Sequence, residues 1–320
     1  MEKWIGKVAL VTGASAGIGQ DVALALANAG MIVIGIARRA ELITMLSTKV
    51  TGTGKIYAKK CDVSNEGEIM ETINWIRREF GGVDVLINNA GIYRYQFITQ
   101  SETSDFRDTF NVNVLATCIF IREVVKDMKA REAYGHIVVL NSMLGQRIPD
   151  VSVPLFGVYP ASKYALVGLT EVLRQELNFL KMPIKVTSVH PGMVETDMIK
   201  VFESKLAERL PKLQAKDITA SIIHCLETPP EVRRKQLQLG ENLKSIPGVF
   251  ITVRHCPFCF DGTGGGRGRS WTLRDGPEPL ITSKLATLVH RFRQLLVKRF
   301  GQKDGTDGTD KHDQSHRHER

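Results

Sequence analysis

Cysteine is scarce in this sequence. Five residues in 320 are too few and too scattered to frame a fold with disulfides. Cys61, Cys118 and Cys225 fall within apolar strand or helix patterns and are expected to be small core residues. Only Cys256 and Cys259 are close neighbours, and with His255 they supply at most half of a zinc site. No second Cys/His pair follows at finger spacing, and His312, His316 and His318 stand far off, so no metal is expected. Apolar runs long enough to span a bilayer are missing too. The chain enters its first apolar strand at Lys7 without the basic, apolar and small-residue pattern of a secretory leader, which points to a cytoplasmic protein. The net charge of +9 suggests nucleic acid until it is divided along the chain. Residues 1–230 hold 26 Lys/Arg against 24 Asp/Glu, and residues 231–320 hold 17 against 10. The basicity belongs to the tail, and a near-neutral core leaves no electrostatic footprint for nucleic acid.

What is present is an alternation of short β-branched runs and longer segments of helical period. Strands are predicted at Val8–Thr12, Met31–Ile36, Lys55–Cys61, Val83–Asn88, Gly135–Asn141 and Ile184–His190, with helices such as Gly17–Ala29 and Tyr159–Leu180 between them. Near-continuous apolar strands are expected when helices cover both faces of a parallel sheet. Right-handed crossovers then give an α/β, Rossmann-type doubly wound sheet in a single domain, with its ligand beyond the carboxyl ends of the strands. The character changes at Pro229-Pro230. Residues 1–230 are therefore expected to form the domain and residues 231–320 a divergent, largely disordered tail. Within that tail Gly248–Val253 is a candidate strand and Ile281–Phe300 a candidate amphipathic helix, while 261–270 and 301–320 are rich in Gly, Asp and His.

Strand one runs into Thr12-Gly13-Ala14-Ser15-Ala16-Gly17-Ile18-Gly19. Glycines here allow a tight turn, close approach of a pyrophosphate and close packing of the next helix, whose N-terminus faces the phosphates. After strand two, an NAD site usually carries an acid for the ribose 2′-hydroxyl. Here Ala37 is followed by Arg38 and Arg39, two guanidinium forks suited to a 2′-phosphate, so NADP is the expected cofactor. Asp62 and Val63 close strand three, where a carboxylate can accept from an adenine amino group. Asn88-Asn89-Ala90-Gly91 closes strand four; its amides can bridge strands and reach a ribose, and Gly91 lets the chain pass beneath the cofactor.

Tyr159 and Lys163 lie four apart at the start of a helix and so share a face. A tyrosine that titrates near pH ~10 is a poor base at neutrality, and an adjacent ammonium is expected to lower its pKa. Tyr159 can then take a proton from an alcohol or give one to a developing alkoxide. Ser142, at the end of strand five, can hold the substrate oxygen against the phenol. Asn113 is the candidate to tie a water to Lys163. In Pro191-Gly-Met-Val-Glu-Thr196, backbone groups near Val194 and the Thr196 hydroxyl can hold a nicotinamide carboxamide.

Taken together, Thr-Gly-x3-Gly-x-Gly, Asn-Asn-Ala-Gly, Asn113, Ser142, Tyr-x3-Lys and Pro-Gly-x3-Thr resemble the short-chain dehydrogenase/reductase family in its compact one-domain form. The match covers residue 5 to about residue 229. Stretches at 110–116, 140–143 and 173–177 look most like insect farnesol dehydrogenases and the related dehydrogenase/reductase member 11 group, which reduces ketosteroids and other carbonyls. This resemblance implies that Gly13, Ser15, Gly17, Ile18, Gly19, Arg38, Arg39, Asp62, Val63 and Asn89 hold NADP. It implies catalysis by Ser142, Tyr159 and Lys163, and a homodimer or homotetramer.

Two features depart from the family pattern. Tyr159 lies 17 positions after Ser142, several more than usual, and the longer loop Gly145–Val158, with Ile148, Leu155 and Phe156, borders the substrate side and is expected to shape specificity. After Pro230 nothing resembles the short final strand with which such proteins end. The segment after Thr196 (Met198, Ile199, Val201, Phe202, Leu206, Leu210) is apolar at helical spacing, which suggests a lipophilic alcohol or carbonyl substrate, with a farnesol-like isoprenoid alcohol favoured. A ketosteroid or carbonyl reductase is the alternative; so is a binding protein whose altered C-terminus impairs catalysis. The basic helix at 281–300 could rest on an anionic membrane, but packing on the core or disorder is the plainer expectation.

Overall fold

Among the described residues, seven parallel strands form one sheet in the order β3-β2-β1-β4-β5-β6-β7. They are β1 (Val8–Thr12), β2 (Ile32–Ala37), β3 (Lys55–Lys60), β4 (Val85–Asn88), β5 (Gly135–Leu140), β6 (Ile184–Pro191) and β7 (Gln236–Leu239). The structure, a computed structural model, describes residues 1–150, 154–200 and 212–229 and the backbone of 236–239. The chain divides after Phe258, and every described residue belongs to the first unit.

The α-helices among the described residues are α1 (Gly17–Asn28), α2 (Ala40–Ser47), α3 (Glu66–Phe80), α4 (Thr103–Phe110), α5 (Ala116–Ala130), α6 (Tyr159–Phe179) and α7 (Ala215–Glu227). Local chemistry sets their ends. At α3, the Asn65 side chain accepts from the Glu68 amide, and Gly81, at φ 77°, turns the chain out of the helix. Alternate strand residues point to opposite faces, and both faces are filled. Ala9 and Val11 pack with Val22, Leu26, Ile218 and Ile222 on one side, while Val8 and Leu10 pack with Ile69, Ile73, Phe120 and Leu173 on the other. This is why the inner strands read as continuous apolar runs.

All six strands expected from the sequence are present; β1 has its expected bounds, and the other five differ by one or two residues at one or both ends. The seventh was not foreseen. β7 pairs in parallel with β6, Ser188 opposite Gln236, beyond the point at 230 where the sequence changes character. Gln-Leu-Gln-Leu has only two apolar residues and no β-branched one, so it gives almost no strand signal. Cys61 and Cys225 are buried; Cys118 is only partly so, contrary to its expected place in the core. The segments Gly248–Val253 and Ile281–Phe300, the glycine-rich stretches, His255, Cys256, Cys259 and the late histidines lie outside the described residues, as do Val201, Phe202, Leu206 and Leu210. Among the described residues no helix is long and apolar enough to cross a membrane, and no three side chains group as metal ligands.

Strand order reverses between β1 and β4, and at such a reversal the connections leave in opposite directions and open a crevice. The glycine turn after β1 and Asn89 after β4 face each other there.

Candidate active site

The crevice is built first by Thr12. Its hydroxyl accepts from the amides of Asn89 and Ala90, both at 2.9 Å. In return the Asn89 side-chain amide donates to the carbonyls of Thr12 (2.9 Å) and Gly13 (3.3 Å). Asn89 thus bridges the two strands. Gly13 and Gly17 have φ +68° and +57°, conformations that an L side chain resists. Gly19 is needed for space: a Cβ there would collide with the Asn89 amide and the Gly13 carbonyl. A Cβ on Gly17 would stand 3.1 Å from Cγ2 of Thr196, so the turn after β6 closes against the glycine turn. α1 begins at Gly17 with no side-chain cap from Ala16, which leaves its first N–H groups to an incoming acceptor. Ile18 packs on the core beneath, and Ser15 is part-exposed above it.

Arg38 and Arg39 are exposed just beyond β2. Ser15, Gln20, Arg39, Leu42, Leu46 and Asp197 line a cleft of about 270 Å³ beside the glycine turn. Asp62 accepts from the amide (2.9 Å) and hydroxyl (2.7 Å) of Ser64. The Ser64 amide bond chiefly, with its hydroxyl and the nearby Arg38 charge, holds the Asp62 carboxyl below its usual range. Val63 packs partly buried beside it.

At the other side of the crevice, α6 begins with Tyr159 and Pro160, the proline in the first turn where its missing N–H costs nothing. Tyr159 and Lys163 are both buried, on one helix face as their spacing predicts. The Lys163 ammonium lies 5.5 Å from the centre of the Tyr159 ring and donates to the Leu140 carbonyl at 2.9 Å. Ser142 follows β5, and its side chain hydrogen-bonds with that of Tyr159. Behind it, the His190 ring meets the Ser142 carbonyl through Nδ1 (3.1 Å) and the Ser188 hydroxyl through Nε2 (2.9 Å). A donating Nδ1–H satisfies the carbonyl, which leaves Nε2 to accept from Ser188. Burial lowers the His190 pKa to about 4, so the ring is neutral.

One expectation is overturned. Lys163 does not make Tyr159 a ready base in the protein alone: burial raises the phenol to about 12, with the Ser142 bond opposing. Burial also lowers Lys163 itself to about 8. Desolvation penalises the charged form of each group, and it is the largest cause of both shifts.

Asn113 sits in a π-turn, Asn111–Leu115, between α4 and α5. Its Oδ1 accepts from the Ile92 amide (2.8 Å), and its Nδ2 donates to the Ile92 carbonyl and the Ser162 hydroxyl, both at 3.0 Å. A point above Gly91, where a Cβ would stand, is 3.4 Å from Asn113 Oδ1 and 3.9 Å from Lys163 Nζ. Val194 is buried and bridges Leu213, while the Thr196 hydroxyl donates to the Val194 carbonyl at 3.3 Å.

Two residues at the site carried no sequence signal, His190 and Tyr93. The Tyr93 ring stands edge-on to Tyr159, centroids 5.0 Å apart and planes at 89°. Its hydroxyl donates to the Leu155 carbonyl at 2.8 Å.

The chain is similar in sequence and fold to known proteins. The short chain dehydrogenase family model matches residues 7–207. A farnesol dehydrogenase of Aedes aegypti is 39% identical over 242 residues, which cover 75% of this chain and 97% of that one. The dehydrogenase/reductase SDR family member 11 of Mus musculus is 40% identical over 250 residues, 75% of this chain and 95% of that one. Among solved structures, an alcohol dehydrogenase from the archaeon Thermococcus sibiricus, complexed with 5-hydroxy-NADP, superposes with a TM-score of 0.65 at 25% identity. It covers 76% of this chain and 99% of its own. The chain therefore belongs to the short-chain dehydrogenase family and is an oxidoreductase of that family.

Proposed function

We propose that the protein is an NADP-dependent dehydrogenase that interconverts a lipophilic alcohol, of the farnesol-like isoprenoid class, and its carbonyl compound, with Tyr159 as general acid and base. The observation that carries this reading is the buried Ser142–Tyr159–Lys163 group at the carboxyl end of β5, across the crevice from a glycine turn that added side chains would block.

The residues present fit a dinucleotide. Gly13, Ser15, Gly17, Ile18 and Gly19 would hold its pyrophosphate against the uncapped start of α1. Arg38 and Arg39 would fork onto a 2′-phosphate, with Asp62 and Val63 at the adenine, Asn89, Ala90 and Gly91 beneath the ribose, and Val194 and Thr196 at the nicotinamide. When bound, the cofactor supplies hydride acceptance or donation at the substrate carbon. The chain's own work is on the proton. With its pKa raised to about 12, Tyr159 is protonated at neutral pH and donates to a carbonyl oxygen that Ser142 holds; in reverse it takes the alcohol's proton. Lys163 stabilises the phenolate, and a water above Gly91 would link it to Asn113.

A second reading, reduction of a ketone such as a steroid, is supported by the similarity to the dehydrogenase/reductase member 11 relative. The test is turnover of the purified protein with NADP(H) and NAD(H) on farnesol, a ketosteroid and a short polar alcohol. Farnesol turnover with NADP is expected. Activity confined to short polar alcohols contradicts the substrate class, and a preference for NAD contradicts the role of the arginine pair.

A further inference from the structure

The long loop before α6 is clipped to the segment that leaves β4, and one side chain joins that clip to the proton carrier. The clip starts from a fixed point, because Asn113 grips both the amide and the carbonyl of Ile92. Tyr93 follows, and its hydroxyl reaches the Leu155 carbonyl, 62 positions along the chain, at 2.8 Å. Three residues later the Gln96 carbonyl accepts from the Gly157 amide at 2.9 Å, and Gln96 bridges Phe156. Gly157 adopts φ +52°, and a Cβ there would stand 3.0 Å from the Arg94 carbonyl, so the approach of the two segments requires glycine. Two residues on, the chain reaches Tyr159, whose ring receives the edge of Tyr93. Aromatic pairs prefer offset or edge-on geometries, so this contact favours a defined orientation of the two rings.

We infer that Tyr93 is a positioning and specificity residue: its hydroxyl fixes the apolar loop at Leu155 and Phe156, while its ring fixes the Tyr159 ring. Resting on the proposed function above, this makes Tyr93 the part through which the loop and the proton carrier are aligned for a long apolar substrate. The two halves of the side chain are separable. Tyr93→Phe keeps the ring and loses the hydroxyl, so the apolar wall shifts. The KM for farnesol is expected to rise about five-fold relative to that for a short alcohol, the size of one ordinary hydrogen bond, with kcat changing much less than KM. Tyr93→Leu loses the ring contact as well, and kcat on both alcohols should fall about ten-fold, with a shifted alkaline limb in the kcat–pH profile.

A readout independent of turnover is tryptic cleavage at Arg147, which is exposed in the same loop. Tyr93→Phe should speed that cleavage several-fold relative to sites elsewhere. If cleavage at Arg147 is unchanged, or if Tyr93→Phe alters both alcohols equally, the inference is overturned even where farnesol is a substrate. If farnesol is not turned over but Tyr93→Phe still speeds the cleavage, the substrate reading fails while the coupling of the loop stands.

Discussion

Replacing Lys163 by Met should make the protein more stable and inactive at the same time. Lys163 is 4% exposed, and burial lowers its pKa from 10.5 to about 8. At pH 7 the ammonium is charged in both folded and unfolded chains, so the whole penalty of burying it is present. At ~1.4 kcal/mol per pKa unit, that penalty is roughly 3 kcal/mol. Methionine fills a similar volume without a charge. It leaves the Leu140 carbonyl without its 2.9 Å donor, which costs about 1 kcal/mol. The net expectation is a gain of about 2 kcal/mol at pH 7. The pH dependence is a sharper test. Between pH 8 and 10.5 the unfolded chain binds more protons at this site than the folded one, so wild-type stability gains from Lys163 as pH rises through that window. The advantage of Lys163→Met should therefore shrink to under about 1 kcal/mol by pH 9.5. Cys61, raised to about 11, and Tyr159 also affect alkaline stability, but both are present in wild type and variant. Urea unfolding followed by circular dichroism at pH 7 and pH 9.5 reads the difference. A variant less stable than wild type at pH 7, by an amount that does not change with pH, would refute the reasoning.

Two further expectations rest on the same geometry. Gly19→Ala drives a methyl into the Asn89 amide and the Gly13 carbonyl, so it should destabilise the fold by about 1–3 kcal/mol and weaken NADPH binding by more than ten-fold; thermal melting and fluorescence titration measure both. Acid should unfold the protein early through His136 and His190, which burial lowers to about 3 and about 4. Their folded pKa values lie below the ordinary 6.5, so from pH 6.5 down to about 4 the unfolded chain takes up protons that the folded one refuses. Stability should fall by up to roughly 3 kcal/mol per pH unit there. A flat denaturation midpoint between pH 6.5 and 5 would contradict that.

Much of this was legible in the residues themselves. Strands such as Val8–Thr12 show because burial on both faces demands apolar residues at every position, and the Tyr159–Lys163 pair shows because a helix places i and i+4 together. The glycines at 13, 17 and 19 are legible because each answers a local backbone or packing demand. What stayed hidden depends on partners distant in sequence or on depth. Tyr93 finds Leu155 across 62 residues, and His190 reaches Ser142 across 48. Burial reversed the expected direction of the Tyr159 shift, because spacing gives the neighbour but not how dry the site is. Asn113 could be named as a partner of Lys163 through a water, but not the grip of its amide on Ile92 and Ser162. β7 escaped because an edge strand needs few apolar residues, and Gln-Leu-Gln-Leu has few.

The central claim is that Tyr159 carries the proton while the opposite side of the crevice holds NADP. Tyr159→Phe keeps the ring that packs against Tyr93 and removes only the phenol oxygen. Farnesol oxidation with NADP should fall about 100- to 10,000-fold, while NADPH affinity, read by fluorescence, stays within a few-fold of wild type. Turnover equal to wild type within two-fold would contradict the account.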